Sequence, residues 1–291
     1  MKRIRFYIPC VLLTFLLVFS LMGTLVSGIA CRVLRMHTYE TVLAAYSMGT
    51  LSEETLTSRF TRRANTTGIP VEISMTGMDA DVLAHATREI TAQALDYITG
   101  RSDSFAPTMD FTQTDAALSD YLSSYAEENG YEQDAAYEEK LAQILGETHE
   151  EILDAADCYK FRLLYDSGYL ETARHYAPLV SMAFRMLLIL TGLLALALIL
   201  CNKRQPVFCL YWIGLAAFIA GVLPLVPGIY LTATDYFAGF AVKDAQIFTA
   251  VVGLLRNLTK SLVTGAGCLA GGGVLGIIAF ALLLRLRPEK D

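Results

Sequence analysis

No aspartate, glutamate or histidine falls inside the four longest apolar runs of this chain, residues 7–30, 179–201, 207–230 and 262–284. Ion pathways and proton relays need such groups at depth, so their absence argues against a channel or a transporter. The chain also lacks a Walker loop, a Gly-x-Ser-x-Gly and a His-Glu-x-x-His. No Cys-x-x-Cys occurs, which removes the usual zinc and thioredoxin patterns. No metal and no cofactor is expected. Charge is scarce: 18% of residues are charged, against about 25% in soluble domains. Two-residue alternation is missing as well, and the only strand candidate is the short stretch 69–75.

Cysteine is sparse outside the apolar runs. Cys10, Cys201, Cys209 and Cys268 lie in or at them, where a thiol acts as a small hydrophobe. Only Cys31 and Cys158 fall elsewhere, so one disulfide is open and a framework of them is excluded. If reduced and not packed away, Cys158 is expected to react with an impermeant thiol reagent.

What is present is length and apolarity. Each of the four runs is long enough to cross about 30 Å of hydrocarbon as a helix. The second and third are joined by only Asn202-Lys203-Arg204-Gln205-Pro206, which makes them antiparallel neighbours. With four spans, Lys2, Arg3, Arg5, Lys203, Arg204, Arg285, Arg287 and Lys290 fall on one side, the cytoplasmic one. Both termini are then cytoplasmic, in a plasma membrane protein. The expected fold is all-α, a four-helix transmembrane bundle with an all-helical extracytoplasmic domain inserted between spans 1 and 2. The segments are a leader and first span (1–30), an acidic helical domain (31–178), and spans 2 and 3 with their turn (179–230, turn 202–206). An outer segment with an interfacial amphipathic helix follows (231–261), then the fourth span and a basic tail (262–291). The basic start resembles a signal peptide, but the run is longer than the 7–15 residues of a secretory core, so it reads as an uncleaved span.

The inserted domain holds 25 acidic and 11 basic side chains. That balance argues against nucleic acid or an anionic lipid surface as its partner. Ser52 is a candidate cap for a helix running towards Arg63, with Gly68 and Pro70 past its end; Asp79 or Asp81 starts another that Gly100 ends. Leu118, Tyr121, Leu122 and Tyr125 form an amphipathic stripe before Gly130. Thr148 with Glu151 fits a capping box. A break at Ser167-Gly168 precedes a helix that leads almost directly into span 2, and span 1 runs on towards 36–48 without Gly or Pro after Gly28.

Functional candidates are few. His37 and His175 flank the first and second spans, where two imidazoles could serve as base and acid on a lipid; the simpler reading is two polar interfacial side chains. Arg185, inside the second run, suits an arginine that snorkels to the outer headgroups. Glu147-Thr148-His149-Glu150-Glu151 has metal-capable side chains but a single histidine. Gly267, Gly271, Gly272 and Gly276 space a close-packing face on span 4, towards another helix, a protein partner or a second copy. The expected partner is the lipid bilayer.

The wording 64–72, Ala-Asn-Thr-Thr-Gly-Ile-Pro-Val-Glu, and a helix ending Leu95-Asp96-Tyr97-Ile98-Thr99-Gly100 resemble a group of clostridial-type bacterial membrane proteins. That resemblance implies the same span order and an all-helical outer domain, and carries no activity. Residues 76–100 are also similar to the outer insert of lipoprotein intramolecular transacylases, which implies an acyl-transfer alternative. That family's histidine motifs are absent, so no catalytic residue carries over. Export-type permeases share the span order, which implies a transporter accessory role as a third reading. The first reading is a non-enzymatic interaction, sensory or accessory module of the cell envelope.

Overall fold

The computed structural model describes residues 4–203 and 205–286. Lys2, Arg3, Arg204, Arg287 and Lys290, on which the orientation leans, lie outside them. Among the described residues every regular element is helical. In chain order these are α1 (Ile4–Val33), α2 (Met36–Ala45), α3 (Met48–Thr67), α4 (Val71–Ser74), α5 (Ala80–Ile98), α6 (Thr112–Asn129), α7 (Ala135–Ala156), α8 (Phe161–Asp166), α9 (Tyr169–Cys201), α10 (Val207–Ala233), a 3-10 turn (Tyr236–Gly239) and α11 (Ala245–Arg285). Four of them, α1, α9, α10 and α11, are long and apolar enough to cross a membrane. The chain divides into two compact units. One comprises residues up to Arg35, Tyr176–Phe240 and Leu255 onwards; the other comprises Met36–His175 and Ala241–Leu254.

The apolar unit presents most of its hydrophobic side chains outward. Within α9, Leu188, Ile189, Leu193 and Leu200 are all more than half exposed. A soluble monomer does not display such a continuous apolar surface; helices that satisfy their own backbone in hydrocarbon do. The interior is narrow and is filled by Leu17, Leu198, Trp212, Ala216 and Ala220. Small and hydroxylated residues set the contacts. Ser20 bonds Thr191 at 2.8 Å and the carbonyl of Leu187 at 3.3 Å, joining α1 to α9. Gly23 and Gly28 admit the side chains of Leu187 and Phe184. α10 runs uninterrupted through Pro224 and Pro227.

Three of the four glycines expected on the packing face of span 4 make no close contact within the chain. Gly267, Gly271 and Gly272 have nothing within 4 Å of a Cβ placed on them. The close approach lies on the adjacent stripe of α11. A Cβ on Gly273 would stand 2.4 Å from the Phe218 amide nitrogen, and one on Gly221 2.4 Å from that of Ala270. Gly276, at 3.3 Å from Gly214, is the one expected residue that belongs to this contact. Four glycines within six residues leave the small-residue spacing degenerate, and only the partner's own glycines, Gly214 and Gly221, select the face.

The second unit is built around α3 and α5. Gly49 lets them meet: a Cβ there would fall 2.2 Å from the Ala80 carbonyl oxygen. Leu56, Phe60, Leu83, Ile90 and Ile152 are buried between α3, α5 and α7. Residues 241–254, expected to lie apart at a membrane interface, belong to this unit, and no break separates them from the fourth span. Gln246 is fully buried; its amide donates to the Ser52 hydroxyl at 2.8 Å and to the Ala155 carbonyl at 2.5 Å. Arg59 reaches Asp154 at 2.5 Å and Asp244 at 3.8 Å. Gly253 packs against Val42 and Tyr46.

Those contacts correct the expected helix starts. Ser52 does not cap α3, which begins one turn earlier; its hydroxyl serves Gln246 instead. Thr148 lies inside α7 and bonds back to the Ile144 carbonyl at 2.7 Å, a use of the hydroxyl that competes with capping. The cap of α7 is Asp134, which accepts from the amides of Ala136 and Tyr137. Stretch 69–75 is no strand: Pro70 opens the single turn α4. Asp79 caps α5 as expected, accepting from Val82 at 2.8 Å. The helix after Ser167-Gly168 is continuous from Tyr169 to Cys201, whereas α1 ends at Val33, two residues before α2.

Candidate functional site

Among the described residues, no group of three His, Cys, Asp or Glu side chains is placed to hold a metal ion. His149 instead stacks on Phe111, centroids 4.0 Å apart, and its Nε2 lies 2.6 Å from Asp115 Oδ1. Its neighbours Glu147 and Glu151 pair with Arg63, and Glu150 pairs with Arg162. The motif's acids are thus spent on ion pairs to α3 and α8. His37 is exposed and stands 4.0 Å from Glu40 on its own helix; His175 is exposed on α9. Arg185 is exposed on α9, sixteen residues before Cys201, about 24 Å along a helix.

Cys31 and Cys158 are both free. Cys158 is 1% exposed, so it is packed away and the condition for its labelling is not met. Burial, and then the adjacent Asp157 carboxylate, push its thiol up, and a thiol that does not ionise does not react. Treating intact cells with an impermeant maleimide should therefore leave Cys158 unmodified; modification detected there by mass spectrometry would contradict the buried placement. Next to it, Tyr39, Tyr159 and Phe161 form a ring cluster, and burial raises Tyr39 to about 12.

Two carboxylates at the end of α7 have opposite character. Burial raises Asp154, but hydrogen bonds from Lys160 and Arg59, and their charges, outweigh it and hold it below the ordinary value. Burial also raises Asp157, and there the amides of Arg162 and Phe161 only partly offset it, so it ends above the ordinary value. Asp154 therefore contributes stability that is present above its unfolded pKa and is lost as pH falls through its lower folded pKa; Asp157 has the opposite sign. Asp154→Asn should lower the melting temperature at pH 7, and the deficit should shrink as pH falls from about 5 to about 2. A deficit independent of pH over that window would show that the ion pairs with Arg59 and Lys160 do not hold the charge.

Among the described residues, the concavities of the second unit include a larger and a smaller one. The larger, about 320 Å3, is lined by Leu43, Ala44, Met48 and Ala84, with the Glu40–Arg88 ion pair and Thr87 beside them. The smaller, about 150 Å3, lies between α6 and α7 among Leu122, Tyr125, Tyr131, Tyr137, Lys140 and Ile144. Its walls follow from local chemistry. Gly130 takes φ 69° at the end of α6, and the amide of Tyr131 returns to the Ala126 carbonyl at 2.9 Å. This helix-ending turn places the residue after the glycine over the last turn. Tyr131 accordingly stacks on Tyr125 at 6.4 Å, which stacks on Tyr121 at 6.5 Å. Gln133 bonds Ser123 at 3.0 Å and Asp134 caps α7, so both sides of the cleft are fixed. Periodicity marks Tyr121 and Tyr125 as part of an amphipathic stripe; it does not point to Tyr131, which the Gly130 turn brings to it, or to Tyr137, which α7 brings.

Fold and site together define an all-helical protein with four helices able to cross a membrane, carrying a compact helical unit with an aromatic cleft. No family model, curated protein or solved structure matches the chain.

Proposed function

We propose that this chain is a multi-pass protein of the bacterial cell envelope whose helical unit is held outside the membrane as a non-enzymatic interaction module, sensory or accessory to another envelope component. One observation carries this reading. The segments 36–175 and 241–254 form a single unit, stitched by Gln246 and Arg59. In a four-span chain these are the first and third connections, which parity puts on one side of the bilayer. The short turn at 202–206 then lies on the other side, where its Lys203 belongs by the positive-inside rule. A fold that commits two connections to one acidic unit is suited to display and recognition.

The test is crosslinking on intact cells with an impermeant amine-reactive reagent, for which Lys140 and Lys243 are exposed handles. A discrete adduct of fixed mass, lost when both lysines are replaced, supports the module. No discrete adduct, together with transfer of a fluorescent acyl chain that His37→Ala or His175→Ala abolishes, would establish the acyl-transfer alternative instead.

A further inference from the structure

We infer that the concavity between α2, α3 and α5 is a binding site for a free α-amino acid with an apolar side chain. The inference deepens the module reading, supplying a ligand for its sensory form, and rests on it. Two helix faces build the site. α2 contributes Glu40, Leu43 and Ala44, and α5 contributes Ala84 and Arg88. Residues three or four apart share one face of a helix. The order of charge and alanine is reversed between the two helices. The charges meet as the Glu40–Arg88 ion pair, and each alanine lies one turn away from it. Met48, buried at the start of α3, lines the apolar part.

The charges say what kind of ligand. Arg88 donates from Nη2 to Glu40 Oε1, and Glu40 Oε2 stands 4.0 Å from the His37 ring. The guanidinium therefore keeps most of its five donors, and the carboxylate most of its lone pairs. An exposed ion pair contributes little by itself, so opening it to admit a ligand costs little. An α-amino acid carries its ammonium and carboxylate one carbon apart, which matches two protein charges in contact. Its carboxylate takes the Arg88 guanidinium side by side, its ammonium takes Glu40, and one ion pair becomes two. A ligand with a single charge leaves one protein charge without a partner. A dipeptide holds its charges too far apart to meet both. The volume, about 320 Å3, stands at the small end of the roughly 300–1,000 Å3 of ligand pockets. Leu43, Ala44, Met48 and Ala84 offer the ligand's side chain an apolar wall.

The test is equilibrium dialysis of radiolabelled L-leucine against the full-length protein in detergent. Binding should saturate, and unlabelled L-leucine should displace it. Leucinamide, which lacks the carboxylate, 4-methylpentanoate, which lacks the ammonium, and leucyl-leucine should each displace it about tenfold less well. Glycine, which lacks the side chain, should be weak too. Arg88→Gln and Glu40→Gln should each weaken binding about tenfold. Ala44→Leu fills the apolar part, leaves both charges in place and should abolish saturable binding. Ala44 is exposed, so the fold survives, and an unchanged melting temperature checks this. No saturable binding, equal displacement by leucinamide or 4-methylpentanoate, or full binding by Ala44→Leu would overturn the proposal. Binding as expected by a chain whose unit proves cytoplasmic would retain the site and remove the envelope reading; no binding by a unit that proves external would remove the site alone.

Discussion

Replacing Gly221 with leucine should remove most folded protein from detergent extracts, whereas replacing Gly271 should not. Both glycines lie in helices long and apolar enough to cross a membrane, and both substitutions add the same side chain. At Gly221 even the first carbon would fall 2.4 Å from the Ala270 amide nitrogen and 2.6 Å from the Ala266 carbonyl oxygen. Backbone atoms cannot rotate aside, so α10 and α11 must separate along their contact. In lipid that contact supplies the association energy, since no hydrophobic drive favours helix over acyl chain. Overpacking of this kind costs roughly 3 kcal/mol or more, or a fall of about 5–10 °C in melting temperature. Gly271 meets nothing within 4 Å, so leucine there meets only what surrounds the helix. Equal losses for the two variants would mean that the outward glycine stripe is itself buried in a partner or a second copy.

The second large effect is expected at Gly49→Leu. Its Cβ would stand 2.2 Å from the Ala80 carbonyl oxygen and 2.7 Å from the Ala84 Cβ. α3 would be driven off α5, opening the layer that holds Leu56, Phe60 and Leu83, at a cost of about 3 kcal/mol. Gly146, inside α7 with nothing within 4 Å, is the control. Alanine there removes the conformational cost of a mid-helix glycine and should stabilise by about 0.5–1 kcal/mol. Circular dichroism during heating reads both. A neutral Gly49→Leu would show that α3 and α5 are not in contact at this point.

How much of this was legible follows residue by residue. The four long apolar helices were readable because hydrocarbon thickness imposes a length, and the runs 7–30, 179–201, 207–230 and 262–284 reach it without an aspartate, glutamate or histidine. Asp79, Gly68, Gly100 and Gly130 were readable because each punctuates its helix by its own chemistry. Ser52 and Thr148 were misread as caps because their partners, Gln246 and the Ile144 carbonyl, are set by packing or by the helix itself. The role of 241–254 was hidden for the same reason. Ile247, Val251, Leu254 and Leu258 make an apolar stripe that fits a membrane interface equally well, while the buried positions Gln246, Ala250 and Gly253 lie beside it. Period alone cannot separate the two. The cleft was half legible: the stripe gave Tyr121 and Tyr125, but Tyr131 reaches them only through a left-handed glycine.

Whether 36–175 and 241–254 share one side of the membrane, opposite the 202–206 turn, is read most directly by thiol accessibility on intact cells. Glu54→Cys, Lys243→Cys and Gln205→Cys each place a cysteine at an exposed position, and the native chain gives the baseline. An impermeant maleimide should label Glu54→Cys and Lys243→Cys before permeabilisation, and Gln205→Cys only after it. Labelling of Gln205→Cys on intact cells, or opposite behaviour of Glu54→Cys and Lys243→Cys, would contradict the account.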